Sequence, residues 1–340
     1  MNKRMAKLLE KIECNGRLLF LGKPDAKAIE FLSAKNMVTA VFTKINEKNL
    51  VESTVKNKSL KTIFLHSFEE LKEEFDSAVV FHEDFLGKEE TEKLLLAAGK
   101  KTRTGGKIFF VGKTSRGAKN FQQTMKELFG NSKVVSVKSG IRLIASVKEK
   151  GLNKIEEKKE KQLIEFSLRN KKFVFASSSG VFSKNSVDEG TGLLLENLNN
   201  VKEKKILDFG CGLGVIGIVL AKENPEAGIL LIDSDSKAVE LTKKNIELNE
   251  IKNAKTVVSD GFSQVKEKFD LIASNPPTHE KRIFLEKFVS ESHKRLEKNG
   301  KLFIVLNKKV FLEKELKQVF GNCEIIAEGK KHKVILAEKK

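Results

Sequence analysis

Residues 208–214 read Asp208-Phe209-Gly210-Cys211-Gly212-Leu213-Gly214, and this run decides the fold. It follows Lys205-Ile206-Leu207, a short buried-strand pattern, and opens into Val215-Ile216-Gly217-Ile218-Val219-Leu220-Ala221, an apolar helix. Strand, glycine turn and helix in that order predict an α/β unit of Rossmann-like type. Gly210, Gly212 and Gly214 permit torsions closed to other residues and let a ligand approach the main chain at a helix N-terminus. Dinucleotide-binding dehydrogenases use the same device, so the downstream elements must discriminate.

Ile229-Leu230-Leu231-Ile232-Asp233 reads as the next strand, ending in a carboxylate about 20 residues after the last loop glycine, where a ribose diol is held. A third run, Thr256-Val257-Val258-Ser259-Asp260, ends in another acid, suited to an adenine amine. The fourth, Phe269-Asp270-Leu271-Ile272-Ala273-Ser274, leads straight into Asn275-Pro276-Pro277-Thr278-His279. Hydride transfer has no use for that turn. Methylation of a planar exocyclic amine does, because its delocalised lone pair must be directed at a sulfonium methyl. The Asn275 side-chain oxygen and the Pro276 carbonyl can grip the two N–H groups. Pro276 and Pro277 stiffen the turn, since each fixes its own φ and restricts its predecessor. Catalysis is then positioning and electrostatics. His279 reads as a hydrogen-bonding or positioning residue, because an amine that has accepted a methyl group can lose its proton to water.

From about Phe173 onward the chain resembles the ribosomal RNA small-subunit methyltransferase C family and its large-subunit relative. Beyond the glycine loop and Asn-Pro-Pro-Thr-His, the likeness includes Gly180-Val181-Phe182-Ser183 and Asp188-Glu189-Gly190-Thr191-Gly192-Leu193-Leu194-Leu195. It continues through Gly300-Lys301-Leu302-Phe303-Ile304-Val305, Val319-Phe320-Gly321 and His332-Lys333-Val334. The resemblance implies guanine-N2 methylation of ribosomal RNA, most naturally small-subunit RNA, with S-adenosyl-L-methionine as cofactor. It further implies that Asp208 and the glycine loop hold the methionine part, Asp233 the ribose and Asp260 the adenine. Asp188 and Thr191 are expected to cap a helix or face the methionine end. The family carries an aromatic where this chain has Thr278, which leaves base stacking to Phe182 or another of the 24 phenylalanines. A guanine in folded RNA must be extruded into such a pocket.

The N-terminal half repeats the C-terminal half without its chemistry. Phe75-Asp76-Ser77-Ala78-Val79-Val80 aligns with Phe269–Ser274, Gly106-Lys107-Ile108-Phe109-Phe110-Val111 with Gly300–Val305, and Leu128-Phe129-Gly130-Asn131 with Val319-Phe320-Gly321-Asn322. In that register Phe81-His82-Glu83-Asp84 replaces the Asn-Pro-Pro turn, Leu21-Gly22-Lys23-Pro24-Asp25 replaces the glycine loop, and Thr43-Lys44 replaces the ribose acid. His82, Glu83 and Asp84 read as a surface turn rather than a metal cluster. The expected organisation is a degenerate methyltransferase-like domain (1–150), a charged linker (151–161) and a catalytic domain (162–340), that is, two tandem Rossmann-like domains. In the catalytic domain, residues 163–168 and 172–176 flank Arg169-Asn170-Lys171 as a hairpin.

Charge gives the first domain a role. Of the chain's net +18, most lies in residues 99–150, which hold 13 Lys/Arg against Glu127 and Glu149. Lys100, Lys101, Arg103 and Arg116 are the expected phosphate contacts of an RNA platform.

The remaining composition sets outer bounds. At 340 residues there is room for two domains with full cores. Cys14, Cys211 and Cys323 are odd in number and lack metal spacing, so neither a disulfide scaffold nor a metal site is expected. The charged start and the lack of a long apolar run lead us to expect a soluble, cytoplasmic monomer. Two alternatives carry different chemistry. The Asn-Pro-Pro turn also serves enzymes that methylate a release-factor glutamine or an adenine amine, and the basic duplicated domain argues against the former. A non-enzymatic RNA-binding factor would have no need of an intact Asp208, Gly210, Gly212, Asp233 and Asn275.

Overall fold

Two sheets with the same strand order organise the chain. The computed structural model describes residues 3–14, 16–23, 25–82, 87–149, 151–152, 162–177, 187–199, 201–276 and 282–340. They divide into two compact units, Met1–Lys159 and Glu160–Lys340. The expected linker 151–161 lies almost entirely outside the described residues.

In the first unit the strands are β1 (Arg17–Gly22), β2 (Met37–Phe42), β3 (Leu60–Phe64), β4 (Phe75–Phe81), β5 (Thr102–Lys113), β6 (Lys133–Lys138) and β7 (Ile141–Val147), in the order β3-β2-β1-β4-β5-β7-β6. The second unit opens with a hairpin, β8 (Gln162–Leu168) and β9 (Lys171–Ser177). Its sheet contains β10 (Lys205–Phe209), β11 (Gly228–Asp233), β12 (Ala254–Val258), β13 (Phe269–Ser274), β14 (Leu296–Asn307), β15 (Glu324–Glu328) and β16 (His332–Glu338), in the order β12-β11-β10-β13-β14-β16-β15. Even the irregularities repeat. The β4–β5 ladder shifts register between Phe75 and Ser77, and the β13–β14 ladder shifts between Phe269 and Leu271.

Central parallel strands are covered on both faces, which is why they read as unbroken apolar runs. Alternate residues serve opposite cores: Leu19 and Leu21 pack with Phe75 and Phe110 on one side, Leu18 and Phe20 with Val79 and Phe109 on the other. In the second unit Ile206 joins one core while Leu207 and Phe209 join the other. β10 has parallel neighbours on both sides, β11 and β13. Strand order reverses there, so the carboxyl ends of these three strands border a single crevice.

The predicted hairpin forms. Its two-residue turn, Arg169 and Asn170, takes positive φ at both positions (47° and 62°), the geometry that matches strand twist. Two asparagines dock it to the helix Ser236–Leu248. Asn245 Oδ1 accepts from Ala176 N at 2.7 Å, while its Nδ2 donates to the carbonyls of Ala176 (3.2 Å) and Leu213 (2.9 Å). Asn249 repeats the exchange with Val174, accepting at 3.0 Å and donating at 2.7 Å. Asn245 thereby ties the hairpin to the glycine loop.

In the first unit β1 and β4 stay paired to their ends: a Cβ at Gly22 would sit 2.2 Å from the Phe81 carbonyl oxygen, so only a glycine fits at the last position of β1. His82 is not on a surface turn as expected from its neighbours. It is buried, with Nδ1 2.8 Å from Thr91 Oγ1, Nε2 3.1 Å from the Arg116 carbonyl, and Phe110 and Phe121 against its ring. The hydrophobic strand end carries it inward, and local hydrogen bonds satisfy it. Glu83 and Asp84 lie outside the described residues.

Asn245 is fully buried, and replacing it with Ala strands three main-chain groups. Each unpaired buried group costs about 1–3 kcal/mol, so Asn245→Ala is expected to lower unfolding free energy by roughly 2–4 kcal/mol, read as a reduced denaturant midpoint at unchanged slope.

Candidate active site

The loop after β10 is shaped by its glycines. Gly210, Gly212 and Gly214 have φ of 71°, 56° and 80°, a region that L side chains rarely occupy. A Cβ at Gly210 or Gly212 would meet nothing within 4 Å, so their backbone borders open space. Gly214 caps the helix Val215–Glu223 without any side-chain hydrogen bond, leaving the N-terminal amides and their partial positive charge at the crevice.

Side chains hold this loop from several directions. Asp233, at the end of β11, accepts from Gly212 N at 3.0 Å and from Asp235 N at 2.9 Å. Thr242 Oγ1 donates to the Gly212 carbonyl at 2.9 Å. Cys211 is buried 3.7 Å from that hydroxyl, and burial pushes its thiol well above the ordinary range, as befits a small packing residue.

Asp208 occupies a different place from the one expected. It has no exposed surface; its Oδ2 accepts from Gly217 N at 2.9 Å behind the loop, and its Oδ1 is buried without a hydrogen-bond partner. Burial raises its pKa to about 7, opposed by the Gly217 bond and reinforced by the charge of Asp233. Asp208 therefore supports the loop rather than lining its open side.

At the end of β13 the Asn275 amide nitrogen donates to Asp188 Oδ2 at 2.8 Å and to Thr191 Oγ1 at 2.9 Å. Asp188 caps the helix Glu189–Asn197, accepting also from Thr191 N at 3.2 Å. A carboxylate only accepts, so the nitrogen of Asn275 must face it and the oxygen must face the other way. The expected cap is present, and Asp188 has a second role besides it: it sets the orientation of Asn275. Beneath the turn, Ser274 donates to the Phe209 carbonyl at 2.8 Å, stitching β13 to β10.

Asp260 follows β12 and is partly buried. The turn after it is closed by Ser259, whose Oγ donates to the Gly261 carbonyl at 2.8 Å. Phe182, Pro277, Thr278 and His279 lie outside the described residues. Of the four cations assigned to the first unit's platform, Arg103 pairs with Asp76 at 3.0 Å and Lys101 donates to the Leu71 carbonyl. Lys100 and Arg116 are exposed.

Sequence reading missed Thr242 and Asn245. Both are fully buried and lie one turn apart on the face of their helix that also carries Ala238 and Val239. Polar residues at helical spacing within an apolar stripe were the available signal.

No helix among the described residues is long and apolar enough to cross a membrane, and no group of three metal-ligating side chains occurs among them.

Residues 172–336 match the methyltransferase small domain family. The uncharacterized protein YbxB of Bacillus subtilis is 39% identical over 54% of this chain and 94% of its own length. The ribosomal RNA small subunit methyltransferase C of Hamiltonella defensa is 31% identical over 68% of each chain. Among solved structures, a T. thermophilus 16S rRNA N2 methyltransferase in complex with AdoMet and guanosine superposes with a TM-score of 0.86 at 24% identity, covering 98% of this chain and 91% of that one. It shares both domains of the fold.

Folded Asp208 keeps its proton up to about 7, whereas the ordinary value of 3.8 governs the unfolded chain. Between those values a rising pH ionises the unfolded state first and so lowers stability; below both, the penalty is absent. Asp208→Asn removes this titration. We expect it to melt higher than the parent near about pH 8, by up to about 4 kcal/mol, and to lose the advantage near about pH 4. A gap independent of pH in paired melting curves would contradict the assignment.

Proposed function

This chain belongs to the ribosomal RNA small-subunit methyltransferase C family, and from that premise we propose that Asn275 and Pro276 present a guanine N2 amine of ribosomal RNA for methylation. The enzyme is an S-adenosylmethionine-dependent rRNA guanine-N2 methyltransferase. One observation carries the residue assignment: the Asn275 nitrogen is engaged by Asp188 and Thr191, which leaves its oxygen as the atom offered to a substrate.

The residues fit the cofactor. The open space over Gly210 and Gly212 accepts a ligand close to the main chain, the first amides of the helix opened by Gly214 suit a carboxylate, and Asp233 at the end of β11 suits a ribose diol. Asp260 serves the adenine. The bound cofactor supplies an electrophilic methyl group on a sulfonium.

Asn275 Oδ1 and the Pro276 carbonyl each accept one N–H of the guanine amine. This holds the amine out of full conjugation, with the nitrogen lone pair directed at the methyl carbon. Attack by this nitrogen would form the new C–N bond, the electron pair of the broken methyl bond remaining with the cofactor. Nitrogen becomes positively charged and acidic, and its extra proton passes to water. Both acceptors interact more strongly with that developing charge than with the ground state, which is the condition for accelerating the step. The exposed Lys100 and Arg116 of the first unit contribute phosphate contacts, and the substrate places the enzyme in the cytoplasm.

Asn275→Ala is expected to lower kcat by about 10²–10³ while leaving cofactor affinity within about twofold. The assay is labelled methyl transfer to unmodified small-subunit and large-subunit RNA, naked and as subunits, with nucleoside analysis. N2-methylguanosine in small-subunit RNA is the expected product, and a product found only on a release-factor glutamine would overturn the reading.

Gly190 has a tight role in the same site. A Cβ there would lie 2.9 Å from Asp188 Oδ2 and 3.3 Å from His332 Cδ2. Gly190→Ala should therefore displace the carboxylate that orients Asn275 and lower kcat by about tenfold, with a smaller change in KM for the cofactor. Equal effects on both constants would show that the fold, not the orientation, had been disturbed.

A further inference from the structure

The second unit carries an exposed aromatic that its fold does not use. Phe311, just after β14, is 68% exposed. Its ring is backed on one face by Lys333 Nζ at 5.0 Å from the centroid; Lys333 is itself buried and bonded to Glu313. The ring is thus seated, with its other face outward.

Its surroundings are cationic. Because β14 and β16 are antiparallel, Asn307 pairs with His332, and Lys308 N donates to the Lys331 carbonyl at 2.8 Å. This brings Lys308 and Lys309 beside Lys330 and Lys331. Lys308 pairs with Glu328 at 2.6 Å. Lys309, Lys330 and Lys331 are exposed and form no ion pair among the described residues.

This rim belongs to the catalytic edge. β13 and β14 are parallel, with Ser274 paired to Ile304, so Asn275 and the segment leading to Phe311 leave the sheet at the same end. A Cβ at Gly329, in the turn between β15 and β16, would lie 3.3 Å from Leu193 and 3.6 Å from Glu189 Oε1, on the helix that Asp188 caps. On the other side, Arg282, which opens the helix following the Asn-Pro-Pro turn, bonds Glu315 in the helix following Phe311.

We propose that Phe311 with Lys309, Lys330 and Lys331 forms a seat for the single-stranded RNA flanking the target guanine. This rests on the methyltransferase reading of Asn275. An extruded base leaves its neighbours unstacked, and an outward-facing aromatic amid cations offers such a strand a stacking surface and phosphate partners together. The charge decides the occupant: three exposed lysines on the two adjoining segments beside one outward ring match a polyanion with exposed bases.

The test is fluorescence anisotropy of the full chain with a labelled single-stranded RNA of roughly ten nucleotides, together with methylation of naked small-subunit RNA and of assembled subunits. Phe311→Ala is expected to weaken oligonucleotide binding about tenfold and Phe311→Tyr to restore it, with cofactor affinity unchanged in both. The double substitution Lys330→Ala, Lys331→Ala should flatten the slope of log K against log salt by about 1.4. If Phe311→Ala and the lysine pair bind the oligonucleotide as the parent does while the parent methylates RNA guanine, the seat is refuted and the enzymatic reading stands. If the parent methylates no RNA at all, the underlying reading fails first. Intact action on naked RNA with loss confined to assembled subunits would make this face a protein contact and overturn the proposal.

Discussion

A carboxylate cannot donate a hydrogen bond, and the chemistry of the catalytic unit depends on that. Asp188 compels Asn275 to turn its nitrogen inward, and Thr191 occupies the second N–H. The oxygen is therefore the presented atom before any substrate arrives. Preorganisation of this kind matters because an amide that could flip would offer a donor to a donor half the time, and a hydrogen-bonding site that is not fixed in advance must be ordered during the reaction. The helix Glu189–Asn197 exists in this position to deliver Asp188, and Gly190 keeps the carboxylate in place by occupying almost no space.

The two units show what such a site demands of its scaffold. Strand order and even ladder irregularities are shared, yet the first unit pairs Gly22 directly with Phe81 at the end of β1 and buries His82 against two phenylalanine rings. The second keeps its glycine loop open and buries an ionisable group, Asp208, with one oxygen unpaired. A folding criterion alone would favour the first arrangement, because unpaired buried carboxylates oppose stability. The second retains them because a ligand-binding crevice needs open backbone and acidic support.

Much of this was legible in the sequence because it rests on backbone rules. The glycine loop, the strand that ends in Asp233 and the Arg169-Asn170 hairpin follow from torsional preference and apolar periodicity, which act locally. The duplication was visible from spacing alone. The cap at Asp188 was legible for the same local reason, but its hold on Asn275 and the role of Asn245 were not, since each depends on a partner far along the chain: Asp188 meets Asn275, and Asn245 meets Ala176. Sequence gives the chemical type of such a residue but not which distant group it faces. Asp208 illustrates the same limit: its position beside the loop suggested a ligand contact, whereas the inward alternation at the end of β10 sends it behind the loop. His82 was misread for the opposite reason, because its acidic neighbours outweighed the apolar strand that carries it inside.

The charge pattern of the second unit matches the two things it must bring together. Asp233 lies at the glycine loop and Asp188 beside Asn275, so the acids of this site stand at the crevice. Lys309, Lys330 and Lys331 stand exposed on the adjoining rim. A sulfonium cofactor is cationic at its reactive centre, and an RNA strand is anionic along its whole length. Acid inside and base outside therefore favour each ligand in its own place and disfavour the exchange. The separation also keeps the lysines clear of the crevice, where an ammonium beside the guanine amine would oppose the positive charge that develops on nitrogen as the methyl group transfers.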